Sequence, residues 1–270
     1  MTPSMPTDPI LLYLWTQRTL YLGELPPVPD LTPAATTLLI GLEKPFRIHD
    51  YASGQTTLTR SALIPAGTHF GAYPQEQTMV NCYLDPMGHD LAFLMPQMQN
   101  KLGDIFLDSR IEAEQIRLFK SIFMEEFVPE DAYGVLLHTV FASKEQTFKS
   151  NAQQAAQQKV CRLIQLIRDD PLANLPAHWL AQQVDLSPSQ MNRWFKRFTG
   201  VPLRRYRLWH RLFVTANLMA QGNSLTEAAH AAGFTDSSHL NHTFRSMLGM
   251  TPSFVFQRSE RLRILGGGSQ

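Results

Sequence analysis

The chain has 270 residues, with 24 Lys and Arg against 23 Asp and Glu, two Cys, 18 Pro and 44% hydrophobic residues. This length and apolar content suit one large or two ordinary domains, and they exclude a disordered chain, a collagen-like chain and a disulfide-rich scaffold. No run of residues approaches the ~18 consecutive apolar residues of a membrane span, and the start of the chain lacks the basic region of a signal peptide. The sequence therefore predicts a soluble cytoplasmic protein with no membrane partner.

Charge is distributed unevenly along the chain. Residues 1–150 carry 10 basic and 17 acidic side chains, a net charge of −7, whereas residues 151–270 carry 14 basic and 6 acidic ones, a net charge of +8. Twelve of those 14 basic residues are Arg, whose planar guanidinium pairs bidentately with phosphate or guanine. The second half is therefore predicted to meet a polyanion.

The amino-terminal part has the pattern of a β-domain. Seven Pro fall in the first 35 residues, so we predict a loosely ordered or wrapping arm around one short apolar helix or strand over 10–22. From Thr36 to Pro86, short runs rich in β-branched and aromatic residues alternate with turn signals such as SGQ and PAG. This pattern is typical of a small antiparallel barrel or sandwich.

Beyond Asp104 the apolar spacing becomes helical. Ile116, Phe119, Phe123 and Phe127 share one helix face, and a second amphipathic segment follows over 133–141. Two such helices either cap the β-core or form a dimerisation surface. The polar run 150–158 is either a linker or the start of the next helix, and we place a domain boundary at residue 150.

The remaining chain is predicted to be helical throughout, which makes the whole protein α+β. Ser187 is a good cap for a helix that Gly200 ends, Pro202 begins a long helix to about Gln221, and Ser224 with Glu227 forms a capping box. The segments 181–202 and 229–252 repeat one another: Phe195 and Phe244, like Gly200 and Gly249, are 49 residues apart. Each segment has the small crossing residue and tight turn of a helix-turn-helix unit.

The second helix of such a unit fits the major groove of B-DNA, where outward amide and guanidinium groups meet base edges. The predicted DNA-binding residues are Ser189, Gln190, Asn192, Arg193 and Lys196 in the first unit and Ser237, Ser238, His239, Asn241, His242 and Arg245 in the second. The connecting helix of about 20 residues is roughly 30 Å long, close to the ~34 Å between successive groove faces. Its side chains Arg204, Arg205, Arg207 and Arg211 are expected near the DNA backbone.

These residues resemble a known family. The runs LAQQVDLSPSQMNRWFKRFTGVP and LTEAAHAAGFTDSSHLNHTFRSMLGMTPSFVF, with Arg211, Leu212 and Ala216 between them, look like the DNA-binding domain of AraC/XylS-family bacterial transcription regulators. Ala228 stands where the family usually has a larger aliphatic residue, and His242 where Arg is frequent. The amino-terminal half is similar in layout to the cupin-like effector and dimerisation domains of such regulators.

The resemblance implies a regulator, most often an activator, with an effector-sensing or dimerisation domain over 1–150 and a DNA-binding domain with a tandem helix-turn-helix over 151–265. Its implied partners are double-stranded promoter DNA, RNA polymerase, a second copy of the chain and a small-molecule effector. For that effector, alternation along the strands indicates a pocket lined by Arg47, His49, Tyr51, Arg60, His69 and Tyr73. The same alternation equally describes a solvated outer face.

No enzyme is predicted, and neither a catalytic residue nor a cofactor is assigned. The phosphate-binding GxxxxGK[ST], the GxSxG, the HExxH and the dinucleotide-binding GxGxxG motifs are missing from the sequence. His239 and His242 lie three apart without a third ligand nearby, so no metal site is predicted, and both Cys82 and Cys161 are interpreted as buried apolar residues. The alternatives are a cupin-type metalloenzyme or a DNA alkyl-transfer protein using Cys82, fused to DNA-binding helices, or a regulator controlled by a protein partner.

Overall fold

A computed structural model describes residues 9–142, 151–170, 173, 175–256 and 261–266. Within them the chain has the predicted α+β architecture. The strands in chain order are β1 (Ile10–Leu14), β2 (Thr19–Glu24), β3 (Val28–Leu31), β4 (Thr37–Gly41), β5 (Phe46–Asp50), β6 (Gln55–Thr59), β7 (Ser61–Ile64), β8 (Phe70–Tyr73), β9 (Thr78–Tyr83), β10 (Met98–Leu102), β11 (Ile105–Ser109) and β12 (Leu262–Gly266).

The strands form two open sheets. One has eight strands in the order β10-β11-β7-β4-β9-β2-β1-β12, and the other has four in the order β3-β8-β5-β6. Every pairing between named strands is antiparallel except that of β1 with β12, which is parallel. Since neither order returns to its first strand, the predicted barrel is not closed, and the sandwich alternative describes the domain.

Burial along the central strands follows the two-residue period of a sheet. On β4, Leu39 packs into a cluster shared with Phe46 and Phe70 of the small sheet, whereas Leu38 packs into a cluster shared with Phe119 on the opposite face. The eight-stranded sheet is therefore covered on both faces, which explains its nearly continuous apolar sequence.

The prediction of a loosely ordered or wrapping arm is wrong for residues 9–35, and residues 1–8 lie outside the described residues. The predicted single element over 10–22 is two strands: β1 and β2 pair with each other, and every residue of β1 is buried. Pro29 lies in β3, an edge strand of the small sheet, where its missing N–H leaves no ladder bond unmade. Because proline tolerates an edge position, Pro29 marks a sheet edge and not a loose arm.

The amino-terminal half has α1 (His89–Leu94), with a 3-10 turn at Met95–Gln97, between β9 and β10, and then α2 (Glu112–Glu125) and α3 (Pro129–Leu136) after β11. Phe119 and Ile122 of α2 are fully buried against the large sheet. The helical pattern predicted beyond Asp104 begins only at α2, because β10 and β11 form a further hairpin before it.

The carboxy-terminal helices are α4 (Asn151–Asp169), α5 (Ala177–Gln182), α6 (Pro188–Thr199), α7 (Leu203–Ala220), α8 (Leu225–Ala231), α9 (Ser237–Leu248) and α10 (Pro252–Phe256). The polar run from residue 151 thus begins a helix and is not a linker. None of the described helices is long and apolar enough to cross a bilayer.

The two halves of the chain pack together extensively. The cluster that fills the sandwich continues into Leu212 of α7 and Phe244 of α9. After α10 the chain returns to the amino-terminal sheet, where β12 pairs with β1 in the register Ile10 to Leu262 through Leu14 to Gly266. The predicted domain boundary falls at residue 150, in the segment 143–150 outside the described residues. Strand β12, inside the predicted 151–265 domain, belongs by its backbone pairing to the amino-terminal sheet.

Candidate nucleic-acid interface

The first helix-turn-helix unit consists of α5, a tight turn and α6. Ala181 is fully buried where the helices cross, and Leu186 N–H donates to the Ala181 carbonyl across the turn at 3.0 Å. Ser187 caps α6 through a capping box with Gln190, and Gly200 ends it with φ 78°. Met191 and Phe195 anchor the inner face of α6 in a core shared with α4. The start, stop and inner face of this helix are those predicted.

The outer face of α6 is exposed to solvent at each predicted position, Ser189, Gln190, Asn192, Arg193 and Lys196. Gln190 is committed to the cap, since its Oε1 accepts from the backbone N–H of Ser187 at 3.1 Å. Both Asn192 and Arg193 are on the solvent side of the helix. This face therefore offers a guanidinium and an amide to a ligand outside the protein.

The second unit, α8 and α9, is built in the same way. Ala228 and Ala229 are buried at the helix crossing, and Gly233 supplies the turn with φ 79°. Asp236 caps α9 by accepting from the backbone N–H of His239 at 2.8 Å. Gly249 ends α9 with φ 72°, and an added Cβ there would collide with Val28 of β3, so a side chain is excluded both by conformation and by space.

On α9, Ser237, Ser238, Asn241, His242 and Arg245 are exposed, while His239 is half-buried. The His239 ring meets the edge of Phe234 with centroids 5.2 Å apart. Asn241 Nδ2 donates to the Ser237 carbonyl at 2.8 Å within the helix. The side chains of His242 and Arg245 are therefore available on the solvent side of α9.

The expectation for the connecting helix is wrong for three of its four arginines. Arg205 donates to the carbonyls of Thr32 and Ser246, Arg207 to those of Leu175 and Ala173, and Arg211 to that of Gly233. Only Arg204 of the four is exposed. These guanidiniums are used to tie α7 to neighbouring segments, because a helix in the middle of the domain buries most of its circumference.

The two cysteines differ from one another. Cys82 is fully buried, as predicted, and burial raises the pKa of its thiol well above the ordinary range, which disfavours the thiolate. Cys161 is exposed on α4, so its interpretation as a buried residue is wrong. Among the described residues no group of three His, Cys, Asp or Glu side chains is arranged to hold a metal ion.

None of the predicted effector residues lines either of the two cavities described below. Tyr51 stacks on His69 with centroids 4.1 Å apart, and the edge of His49 meets Tyr51 at 4.5 Å, all on the outer side of the small sheet. On the same side, the guanidinium of Arg47 lies 5.5 Å from the centroid of Tyr73. Arg60 donates to the Gly41 and Leu42 carbonyls. The inward positions of β5 are Phe46, Ile48 and Asp50, so this alternation marks an outer face.

A cavity that sequence reasoning missed lies between the two halves of the chain. Strands β1, β2 and β9 form one wall, and helices α7, α9 and α10 form the other. The cavity leaves about 60 Å³ for the centre of a water-sized sphere and is partly open to solvent. Leu12, Trp209 and Phe244 are typical of its apolar lining. A second, more polar gap adjoins it and shares Tyr83 and Trp209 with it.

One polar pair faces this cavity from the centre of the sheet. Asn81 is 4% exposed, its Nδ2 donates to the Tyr83 hydroxyl at 3.3 Å, and its Oδ1 has no hydrogen-bond partner among the described residues. Burial raises the pKa of Tyr83, which keeps the phenol neutral. The signal in the sequence was a lone Asn within the apolar run MVNCYL.

Comparison with known proteins supports the tandem helix-turn-helix. Residues 180–258 match a family model described as a helix-turn-helix domain. The chain is 32% identical over 116 residues to the bifunctional transcriptional activator/DNA repair enzyme Ada of Escherichia coli, which is 43% of this chain and 32% of Ada. It is 27% identical over 132 residues to the transcriptional activator RhaS of Pectobacterium carotovorum, which is 47% of each chain. The chain thus spans a third to a half of the curated relatives it matches.

The whole chain also resembles a solved structure. ToxT of Vibrio cholerae, solved with an unsaturated fatty acid bound, aligns with a TM-score of 0.54 at 13% identity, over 90% of this chain and 96% of ToxT. At this level of identity the resemblance concerns the fold alone. It extends across both halves, including the β-domain for which the sequence offers no sharp motif.

Proposed function

We propose that the chain is a sequence-specific DNA-binding transcription regulator of the AraC/XylS type, and that residues 151–265 bind promoter DNA, which the match to a helix-turn-helix family model and to the activator RhaS supports. The observation that carries the proposal is the pair of capped helices α6 and α9, whose inner faces are buried and whose outer faces are free. Such a helix is suited to the major groove, where base edges carry a distinct pattern of donors and acceptors.

The outward residues divide between two roles. We assign base contacts to Asn192 and Arg193 on α6 and to Asn241 and His242 on α9, since amide, guanidinium and imidazole groups read base edges. Lys196 and Arg245, nearer the end of each helix, are assigned to phosphates. The remaining predicted positions, Ser189, Gln190, Ser237, Ser238 and His239, are proposed to pack against the groove. The net charge of +8 on this half of the chain favours that encounter.

For residues 1–150 we propose a sensing and oligomerising role. The relatives Ada and RhaS are named as activators, which supports activation through RNA polymerase as the output. ToxT has been solved with a fatty acid bound, which supports a small-molecule effector here. We place that effector in the cavity between the halves, and we propose that the regulator acts in the cytoplasm as a homodimer without catalytic activity.

Arg193→Ala tests the DNA-binding proposal. Duplexes selected by the full-length protein from a random pool define the preferred site, and fluorescence anisotropy measures affinity for that site and for each single-base variant. Loss of one bidentate guanidinium contact is expected to cost about 1 to 3 kcal/mol and to relax the preference at one base pair. The control Arg110→Ala removes an exposed guanidinium from the amino-terminal half and is expected to leave binding unchanged.

Selection of no duplex by the full-length protein would contradict the proposal. An equal loss of affinity across all duplexes for Arg193→Ala would reassign this residue to a phosphate. Affinity is also expected to fall steeply with salt concentration, because each neutralised phosphate releases condensed counterions.

A further inference from the structure

The cavity between the halves contains a polar group that the protein leaves unsatisfied. Asn81 Oδ1 is buried and has no partner among the described residues, although it lies in the middle of β9 among apolar neighbours. A buried acceptor without a donor is costly, so natural proteins seldom keep one unless something else supplies the bond. A molecule occupying the cavity would supply it.

The cavity lacks charge. No Lys, Arg, His, Asp or Glu is among the described residues that line it. In the adjoining gap, Arg18 is already paired with Asp90 through bonds of 2.7 and 2.8 Å, and burial with the nearby Arg168 lowers the pKa of His210 to about 4, which keeps the imidazole neutral. A carboxylate or ammonium entering the cavity would lose its hydration without gaining a counter-ion.

A hydroxyl group matches the polar pair better than either a pure donor or a pure acceptor. Tyr83 accepts from Asn81 Nδ2, so its own proton remains to be donated, while Asn81 Oδ1 waits to accept. If the Asn81 amide is rotated by half a turn, the Tyr83 hydroxyl donates to Oδ1 and Nδ2 points into the cavity as a donor. The free group of Asn81 is then a donor, and the Tyr83 oxygen is free to accept. A hydroxyl donates and accepts, so it satisfies the pair in either orientation.

We infer that the cavity binds a small, uncharged, largely apolar molecule carrying one hydroxyl group, an alcohol or a phenol, with the hydroxyl at Asn81 and Tyr83 and the apolar body between β1 and α7. The inference rests on the proposed effector role and specifies its ligand. Phe244 and Leu248 of α9 line the same cavity, so the ligand would contact the inner side of a proposed recognition helix. Its binding would thereby favour one placement of that helix over others.

Isothermal titration calorimetry on the full-length chain without DNA tests this inference with two probes of equal chain length. At about pH 8, where the acid is ionised, 1-octanol is expected to bind at least about tenfold more tightly than octanoate. Asn81→Leu removes the amide at nearly constant volume and is expected to weaken 1-octanol binding about three- to tenfold. The matched control Asn100→Leu, on the exposed part of β10, is expected to bind both probes as the unmodified chain does.

Ala216→Leu provides a second variant, because it fills the cavity from α7 and leaves the polar pair in place. It is expected to abolish binding of 1-octanol, and circular dichroism checks that each variant is folded. The inference would be overturned if octanoate bound as tightly as 1-octanol. It would also be overturned if 1-octanol bound to Ala216→Leu as tightly as to the unmodified chain. Neither measurement requires Asn81→Leu to fold. Because the titration contains no DNA, a failure of 1-octanol to bind would not contradict the DNA-binding proposal. A failure of duplex selection would likewise not contradict a binding result for 1-octanol.

Discussion

At the scale of single residues, His210 shows how burial sets protonation. Its ring lies on α7 between Tyr206 and Phe213, with centroids 6.5 and 5.9 Å away, and is 8% exposed. Burial, assisted by the positive charge of Arg168, lowers the pKa of His210 from 6.5 to about 4. The folded chain therefore favours the neutral ring, whereas the unfolded chain takes up a proton near pH 6.5.

This difference predicts a loss of stability in acid. The contribution of His210 is complete above the unfolded pKa of 6.5 and is lost as the pH falls towards the folded pKa of about 4. The full effect has an upper bound of roughly 3 kcal/mol, from 1.36 kcal/mol per pKa unit. Urea unfolding of His210→Gln across this range is expected to show a flatter pH profile than the unmodified chain. The control His178→Gln, at an exposed site on α5, is expected to keep the pH profile of the unmodified chain. If the stability of His210→Gln fell with pH as steeply as that of the unmodified chain, His210 would not be the source of the acid sensitivity.

At the scale of elements, α6 shows how local signals define a helix. Ser187 Oγ accepts from the backbone N–H of Gln190 at 3.3 Å, and Gln190 Oε1 accepts from the backbone N–H of Ser187 at 3.1 Å. Both bonds use groups that are close in sequence, so the capped start is independent of tertiary context. For the same reason the sequence alone predicts the start of α9, where Asp236 takes the capping position that Ser187 has in α6.

The cap predicts a stability difference between two neighbouring serines. Ser187→Ala is expected to lower the free energy of unfolding by about 1 kcal/mol, the usual contribution of such a cap. Ser189→Ala changes an exposed residue two positions later, and we expect it to change the free energy of unfolding by less than about 0.5 kcal/mol. Chemical denaturation of both variants measures the contrast, and equal losses would mean that the capping bonds contribute nothing in solution.

At the scale of the whole molecule, β12 joins the two halves. The strand follows the last described helix of the DNA-binding domain and extends the large sheet beyond β1, where Arg263 also pairs with Glu126. Leu265 packs beside the helices over one face of that sheet, and Ile264 packs with the cluster on the other face. Strand β12 also packs against α7, so the carboxy-terminal segment holds that helix against the β-domain.

Removal of residues 261–270 tests this coupling. Loss of the ladder with β1 is expected to lower the free energy of unfolding by roughly 2 to 5 kcal/mol, since each backbone bond contributes about 0.5–1.5 kcal/mol net. It also exposes the edge of β1, so limited proteolysis is expected to cut the chain faster. Removal of residues 267–270 alone leaves β12 in place and serves as the control. A truncated chain as stable and as protease-resistant as that control would show that β12 does not couple the halves.

Much of the candidate interface was readable from local patterns. The helix bounds, the Ser187 cap, the capping box of Ser224 with Glu227 and the exposure of Arg193 and Arg245 follow from periodicity and from bonds between residues three or four apart. The apolar runs of the β-domain likewise indicated strands, because a two-residue period needs no knowledge of partners. Local chemistry was therefore sufficient for the elements and for the outer faces of α6 and α9.

Long-range pairing was beyond the reach of these patterns. Whether the sheets close, whether β12 returns to β1, and where Arg205 and Arg211 donate depend on contacts between distant segments, which no local period records. The cavity has the same origin, since Tyr83 and Trp209 come into contact only when α7 docks on β9. The helical repeat was sufficient to predict which side chains point outward on α6 and α9, because that depends on a local period. The cavity arises only from the packing of one half on the other, so no local pattern predicted it.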